Sequence, residues 1–256
     1  MTGKTHKMGG MLISAVGFTL LKNNGLLLSD VNEGLQWLVM YPFCMWGSVA
    51  SDLDHHWESC PSKDIPSWFV NKALHITEPV YKSLDSSLSS SAKKTNMLYK
   101  VSKFLTARHR SWQTHSDLTF VFMLYLLYSI MHGKFLMFNS NDIILLTLIM
   151  TGICLGIVAH FILDLLTPQG VWNTVAVLLN RFILHGRLPR RFEKWHFVPN
   201  MRCFATDSDW EGFIYKVLRV MTVVSVVYLL ISVFFPSQIS YLFDLIPYRL
   251  EYNTHN

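Results

Sequence analysis

Residues 142–166 form a nearly uninterrupted apolar run, "DIILLTLIMTGICLGIVAHFILDLL", with His160 and Asp164 close to its end. A helix of about 20 apolar residues crosses the hydrocarbon core of a bilayer. Similar runs occupy residues 8–28, 35–50, 117–138 and 213–235. Charged residues make up only 15% of the chain, against roughly 25% in soluble domains. The sequence therefore predicts an all-α polytopic membrane bundle of about five spans, with residues 1–256 as a single domain.

The Lys and Arg residues are distributed unevenly between the two sides of the predicted bundle. If the first span begins in the cytoplasm, segments 1–7, 51–116 and 167–212 lie on the cytoplasmic side, and they contain 17 of the 22 Lys and Arg residues. Cytoplasmic loops of membrane proteins carry such an excess. The distribution therefore predicts a multi-pass protein with a cytoplasmic N-terminus.

The central cytoplasmic segment is predicted to carry an insertion at residues 56–106. Residues 65–84 mix Trp and Phe with Lys, which fits either an interfacial amphipathic helix or a surface helix packed on the bundle. Residues 82–95 are rich in Ser and are predicted to form a linker or exposed turn. Basic and aromatic side chains beside a membrane favour anionic lipid headgroups over nucleic acid as the partner. Residues 237–256 are predicted to form a C-terminal tail.

Side chains suited to metal binding gather at one end of the predicted spans. The clusters are His6 before the first span; Asp52, Asp54, His55 and His56 after the second; His109 and His115 before the third; His160 and Asp164 at the end of the fourth; and Asp207, Asp209 and Glu211 before the fifth. The topology rests on Lys and Arg alone, so this convergence on the cytoplasmic side is independent support for a functional site there.

The pair His160 and Asp164 lies four residues apart, so the two side chains share one face of a helix. Ionisable groups at membrane depth are costly and mark functional sites. An imidazole and a carboxylate in this register can bind zinc together. Two other interpretations stay open, namely a mutually satisfied His–Asp hydrogen bond and a proton relay.

The segment "RHRSWQTHS" at residues 108–116 contains two His residues six positions apart. On a straight helix the rings of His109 and His115 would diverge, because each residue turns the helix by about 100°. Either the segment bends, or one His binds metal while the other supports it. We expect His109 to be the ligand and His115 the supporting residue. The guanidinium of Arg110 is suited to phosphate.

The chain offers more candidate ligands than a single zinc ion needs. The candidates are His6, Asp52, Asp54, His55, His109, His160, Asp164 and Glu211. Carboxylates mixed with imidazoles, and without Cys, favour a site for two or three divalent ions, with zinc as the expected metal. Such sites activate water and clamp the oxygens of a phosphoester.

Four pieces of the sequence, taken in order, resemble the YdjM-type family of inner-membrane metal-dependent hydrolases, some of which are LexA-regulated. The pieces are "TH" at 5–6, "SDLDH" at 51–55, "HRSWQTHS" at 109–116 and "GIVAHFILDLLTPQG" at 156–170. Ser51 stands where the family usually has Pro, and Ser111 and Gln113 change the centre of the third motif. The resemblance implies a bacterial inner-membrane protein.

That family is in turn similar to zinc-dependent phospholipase C and related single-strand nucleases, which are all-helical enzymes with a three-zinc site. The resemblance implies phosphoester hydrolysis with Asp54, His109, His160 and Asp164 as metal ligands. It gives weaker support to His6 and Glu211.

These observations lead to the hypothesis of a membrane metallohydrolase that cleaves a lipid or polyprenyl phosphoester at the cytoplasmic leaflet. Asp54 is expected to act as a base, Arg110 to stabilise developing charge, and His115 to support the reaction. One alternative is a proton-coupled transporter or channel that uses His160 and Asp164. Another is a non-enzymatic membrane adaptor with a structural metal.

Overall fold

The computed structural model describes residues 2–29, 31–106, 114–132, 144–168, 170–184, 187, 189–197 and 207–234. Within these ranges the chain is mostly helical. In chain order the helices are α1 (Gly3–Asn23), α2 (Glu33–Ala50), α3 (Ile65–Leu74), α4 (Glu78–Ser87), α5 (Ser90–Thr95), α6 (Met97–Leu105), α7 (Asp117–Met131), α8 (Ile144–Leu165), α9 (Thr174–Phe182) and α10 (Asp209–Phe234). Short 3-10 turns occupy Ser51–Asp54, Trp57–Ser59 and Arg190–Glu193.

Each predicted span coincides with one of the long helices α1, α2, α7, α8 and α10, although the bounds differ. In the described part of the chain, two helices are long and apolar enough to cross a membrane, Ile144–Leu165 and Asp209–Val233. Helix α7 has only 15 residues, and residues 133–138 of the predicted third span lie outside the described residues. Three of the five spans therefore stay a prediction.

A small two-stranded β-sheet departs from the all-α prediction. Strands β1 (Val171–Trp172) and β2 (Lys194–Trp195) pair antiparallel. Gly170 leads into β1 with a φ of +56°, and a Cβ there would overlap the carbonyl oxygen of Trp195. The backbone N–H of Trp172 donates to the carbonyl of His115 at 2.7 Å, so this sheet holds the segment before α7.

The predicted insertion at residues 56–106 folds as helices α3–α6. The side chains of Asp64, Ser89 and Asn96 accept hydrogen bonds from backbone N–H groups at the starts of α3, α5 and α6. Such N-caps satisfy donors that the helix itself leaves unpaired. The Ser-rich segment 82–95 therefore lies largely within helices. The insertion as a unit of the fold stays a prediction, and the predicted tail at 237–256 lies outside the described residues.

Helix α8 packs against α1, α2 and α7, and its contact with α2 depends on glycine. A Cβ on Gly156 would overlap the backbone carbonyl oxygen of Cys44, and a Cβ on Gly47 would overlap that of Ile153. Small residues allow two helix backbones to approach closely, as is common in membrane bundles. The contact brings Ser48 of α2 against the end of α8 that carries His160 and Asp164.

We expect Gly156→Ala to destabilise the bundle, because the added Cβ must push the backbone of Cys44 away from α8. Overpacking of this kind costs about 1–3 kcal/mol, and each kcal/mol lowers the Tm by about 2–4 °C in a chain of this size. Thermal unfolding of the detergent-solubilised protein measures the effect. Gly212→Ala is the matched control, because a Cβ at Gly212 meets no described atom within 4 Å. Equal Tm values for the two variants would contradict the expectation.

Candidate metal centre

Six ionisable side chains from different parts of the chain meet at one end of the bundle. They are His6 of α1, Asp52 and Asp54 of the turn after α2, His115 just before α7, and His160 and Asp164 of α8. Their exposed fractions run from 0% to 6%. Unpaired buried charge is expensive, so such a cluster requires internal compensation by protons, hydrogen bonds or a metal.

Local backbone structure explains how Asp52 and Asp54, in the turn after α2, and His115, just before α7, come to lie in the cluster. The 3-10 turn Ser51–Asp54 continues α2 directly, and all of its residues are buried. The side chain of Ser116 caps α7 by accepting from the N–H of Thr119, so the helix begins only at Asp117. His115 therefore lies outside the helix, and its ring direction does not follow the helical period.

The ring nitrogens and carboxylate oxygens converge at short distances. Nε2 of His160 lies 3.2 Å from Nε2 of His115 and 3.4 Å from Oδ2 of Asp164. Nε2 of His115 lies 3.4 Å from Oδ1 of Asp52 and 3.5 Å from Oδ2 of Asp164. Ligands of a tetrahedral zinc ion, at about 2.0–2.2 Å from the metal, are about 3.3 Å from one another. The separations fit ligands around a single ion.

His6 lies beside this centre with its ring stacked on that of His160, at a centroid distance of 3.9 Å. Nε2 of His6 is 3.6 Å from Oδ1 of Asp164 and 3.9 Å from Oδ2 of Asp52. Both of its ring nitrogens are buried, and among the described residues neither has a hydrogen-bond partner. A buried imidazole of this kind is suited to accept a metal ion.

Hydrogen bonds on the outer side fix which nitrogen of His160 faces the centre. Nδ1 of His160 lies 2.8 Å from the carbonyl oxygen of Ser48, so it must carry the proton and donate. In the neutral ring, Nε2 then presents its lone pair to the centre. Metal-binding histidines are oriented in this way by carbonyl or carboxylate partners.

A similar arrangement orients His115. The hydroxyl of Thr114 donates its single proton to Oδ2 of Asp54 at 2.6 Å. Its oxygen must then accept from Nδ1 of His115, which lies 2.9 Å away. Nε2 of His115 consequently faces Asp52 and Asp164. Thr114 is not among the predicted site residues, although it lies within the motif "HRSWQTHS" directly before His115, and that position is a signal that could have found it.

The electrostatics of the centre favour a cation at this point. Burial disfavours the imidazolium of His115, but hydrogen bonds to Asp52 and Asp54, with the charge of Asp164, raise the pKa of His115 to about 9. Burial also disfavours the carboxylate of Asp52, yet the rings of His160, His115 and His6 hold the pKa of Asp52 well below its ordinary value. The metal-free cluster therefore keeps a proton on Nε2 of His115, which a metal would displace.

Two overlapping groups of residues can hold a metal ion, His6 with His160 and Asp164, and Asp52 with His115 and His160. Both groups use His160. Because Nδ1 of His160 is occupied by the carbonyl of Ser48, only Nε2 is left for a metal. The two groups thus share a single imidazole nitrogen.

Two predicted ligands lie apart from the convergence point. His55 is half-buried, and its carbonyl accepts from Asn71 at 2.6 Å. Glu211 accepts from the hydroxyl of Thr5 at 2.7 Å, from the N–H of Asp207 at 2.8 Å and from the N–H of Thr2. Glu211 therefore fastens the start of α1 one residue before His6.

The remaining two predicted site residues, His109 and Arg110, lie outside the described residues. The assignment of individual residues as ligands stays a prediction. The structure brings His6, Asp52, His160 and Asp164 together, with Asp54 held behind His115.

We expect the metal-free protein to lose stability as the pH rises from 6.5 to about 9, because the raised pKa of His115 stabilises the fold only while the ring is protonated. The stabilisation is complete below the ordinary His pKa of 6.5 and is lost as the pH passes about 9. Thermal unfolding in the presence of chelator measures this. His115→Asn should show a smaller fall in Tm over the same interval, and an equal fall would contradict the assignment.

Together these features define a protein that, over its described residues, is mostly helical, with two candidate membrane spans and a buried His/Asp cluster that can hold a metal ion. The profile of the family described as YdjM inner membrane protein matches residues 1–239. The chain belongs to the YdjM inner membrane protein family, which confirms the resemblance carried by its motifs. No curated protein and no solved structure matches the chain.

Proposed function

We propose that the protein is a membrane-bound, metal-dependent phosphoester hydrolase. The observation that carries the proposal is the convergence of His6, His115 and His160 with Asp52 and Asp164 in one buried centre. Mixed imidazole and carboxylate ligands without Cys suit zinc. When bound, such an ion supplies Lewis-acid polarisation of a phosphoryl group and lowers the pKa of a water molecule.

The number of ions is part of the proposal. The five converging side chains support one central ion, since the two candidate groups share Nε2 of His160. A second or third ion requires further ligands. We propose His109 for that role, since its motif places it six residues before His115.

The chain's own residues have distinct proposed roles around the ion. Asp54 and Thr114 orient His115, and their contacts favour a positioning role for Asp54 over the role of a free base. Asp52 keeps 8% of its side chain exposed, more than the other members of the centre, so the substrate approaches from its side. Arg110 would stabilise developing negative charge on phosphate.

The membrane setting supports a lipid or polyprenyl phosphate as the substrate. Family membership places the chain among inner-membrane proteins. The Lys and Arg distribution favours a cytoplasmic N-terminus, and on that topology the proposed centre lies at the cytoplasmic leaflet of the bacterial inner membrane that the family implies. Lipid phosphates lie at that depth.

The insertion at residues 56–106 supports the same location. Its helices carry exposed apolar side chains, among them Ile65 at 74%, Phe69 at 63% and Met97 at 71%. Lys residues such as Lys72 and Lys100 accompany them. Apolar and cationic side chains combined in this way suit the headgroup region of an anionic membrane. We therefore infer that the insertion rests on the bilayer beside the metal centre.

We expect His160→Ala and Asp164→Asn to lose bound metal, because the first removes an imidazole and the second a carboxylate charge at the convergence point. Elemental analysis of the purified protein after loading with zinc or manganese measures the content. His132→Ala is the control, because His132 is exposed at the end of α7 and bonds the carbonyl of Tyr128 in its own helix. A full metal load in both centre variants would refute the proposed site.

We expect membranes containing the wild-type protein to convert a phosphate-bearing component of a lipid extract, and His160→Ala to abolish this turnover. Thr114→Val should lower turnover by about 10- to 100-fold, because it releases the orientation of His115 while leaving the ligands in place. Mass spectrometry of the extract measures both. Ion flux in proteoliposomes without any lipid turnover would instead support the transporter alternative.

A further inference from the structure

A second group of ligand-type side chains lies at the surface, next to the turn Ser51–Asp54. His56 immediately precedes the 3-10 turn Trp57–Ser59, His75 ends α3, and Glu78 begins α4. One ligand atom from each lies within 4.8 Å of the other two. The motifs that lead to the buried centre include neither His75 nor Glu78.

The backbone between α3 and α4 forces two of these side chains together. The N–H of Glu78 donates to the carbonyl of His75 at 3.0 Å, which closes a tight turn. Nδ1 of His75 then lies 3.1 Å from Oε2 of Glu78. That separation is close to the roughly 3.3 Å expected between two ligands of one tetrahedral zinc ion.

The tautomer of His75 is set by the opposite edge of its ring. Nε2 lies 3.1 Å from the carbonyl oxygen of Asp54 and 3.2 Å from that of His55, so it carries the proton and donates. Nδ1 is buried and faces Oε2 of Glu78, an oxygen that in the ionised carboxylate has no proton to donate to it. In the neutral ring, a nitrogen lone pair therefore faces the carboxylate of Glu78, and a cation bound by both atoms offsets their repulsion.

The positions of Glu78 and His56 allow these two side chains to bind an ion together with His75. Oε1 of Glu78 is held by Nζ of Lys82 at 2.7 Å, which leaves Oε2 directed at His75. The ring of His56 stacks on that of His75 with centroids 5.6 Å apart. His56 is exposed, so its side chain can shift to complete the coordination, and a fourth position faces solvent.

This surface group is joined to the buried centre by short contacts. The side-chain amide of Asn71 in α3 donates to the carbonyls of Leu53 and His55 at 2.6 Å each. His75, at the end of the same helix, contacts the carbonyl of Asp54. Hydrogen bonds from the end of α3 therefore hold the backbone of the turn Ser51–Asp54. The side chains of Asp52 and Asp54 in this turn point into the centre.

We propose that His56, His75 and Glu78 bind a divalent ion of the zinc type, and that this ion braces the turn presenting Asp52 and Asp54 to the buried centre. The surface site does not depend on the hydrolase activity. It is a structural site with an open position, built from side chains that contribute nothing to the buried cluster.

Zinc content of the full-length protein in detergent tests the site. Glu78→Gln and His56→Ala should each bind about one zinc ion fewer per chain than wild type. Glu33→Gln is the matched control, since Glu33 forms an equivalent exposed ion pair with Lys22 at 2.6 Å. Zinc content that is equal in Glu78→Gln, His56→Ala and Glu33→Gln would overturn the proposal.

The His160→Ala background separates this site from the buried centre. Zinc that His160→Ala still binds, and that the added Glu78→Gln removes, belongs to the surface site. If His160→Ala keeps the full load but Glu78→Gln lowers it, the buried centre fails and the surface site stands. If His160→Ala binds no zinc, the surface site fails.

Hydrogen exchange tests the bracing. In the His160→Ala background, added zinc should slow exchange of the backbone amides at residues 51–60, and the further change Glu78→Gln should remove this protection. Exchange that zinc leaves unchanged would overturn the bracing even where the ion binds.

Discussion

The close approach of α8 to α2 positions the centre, because no side chain separates the two backbones at Gly47 and Gly156. The same approach brings the carbonyl of Ser48 to 2.8 Å from Nδ1 of His160. A single packing contact therefore stabilises the bundle and fixes the tautomer of a central imidazole. Asp164 lies one helical turn later on the same face of α8.

No helix supplies the centre alone. Each of α1, α2 with its following turn, the start of α7, and α8 brings one or two side chains, and all arrive buried. The resulting balance of three imidazoles and several carboxylates is tolerable in a low-dielectric setting only because protons or a cation offset the carboxylates. The pKa of His115 is raised because its protonated ring offsets the negative charge of the neighbouring carboxylates.

The features that depend only on short-range periodicity could be predicted from the sequence. The spacing of His160 and Asp164 requires only a helix, and α8 provides it. The gathering of the clusters at one end could be predicted from the apolar runs together with the positions of Lys and Arg. The direction of His115 could not be derived, since it depends on the cap at Ser116 and on the hydroxyl of Thr114. The place of Glu211 depends on where α1 begins, which periodicity does not reveal.

The bond between Glu211 and Thr5 joins residues 206 positions apart, and it has a consequence for biosynthesis. His6 is made long before Glu211, because the helix that anchors its neighbour Thr5 is the last long helix of the described chain. At roughly 5–20 residues per second, translation needs on the order of ten seconds or more to pass from Thr5 to Glu211. The hydrogen bond that anchors the start of α1, one residue before His6, can therefore form only after the roughly 200 residues that separate it from Glu211 have been made.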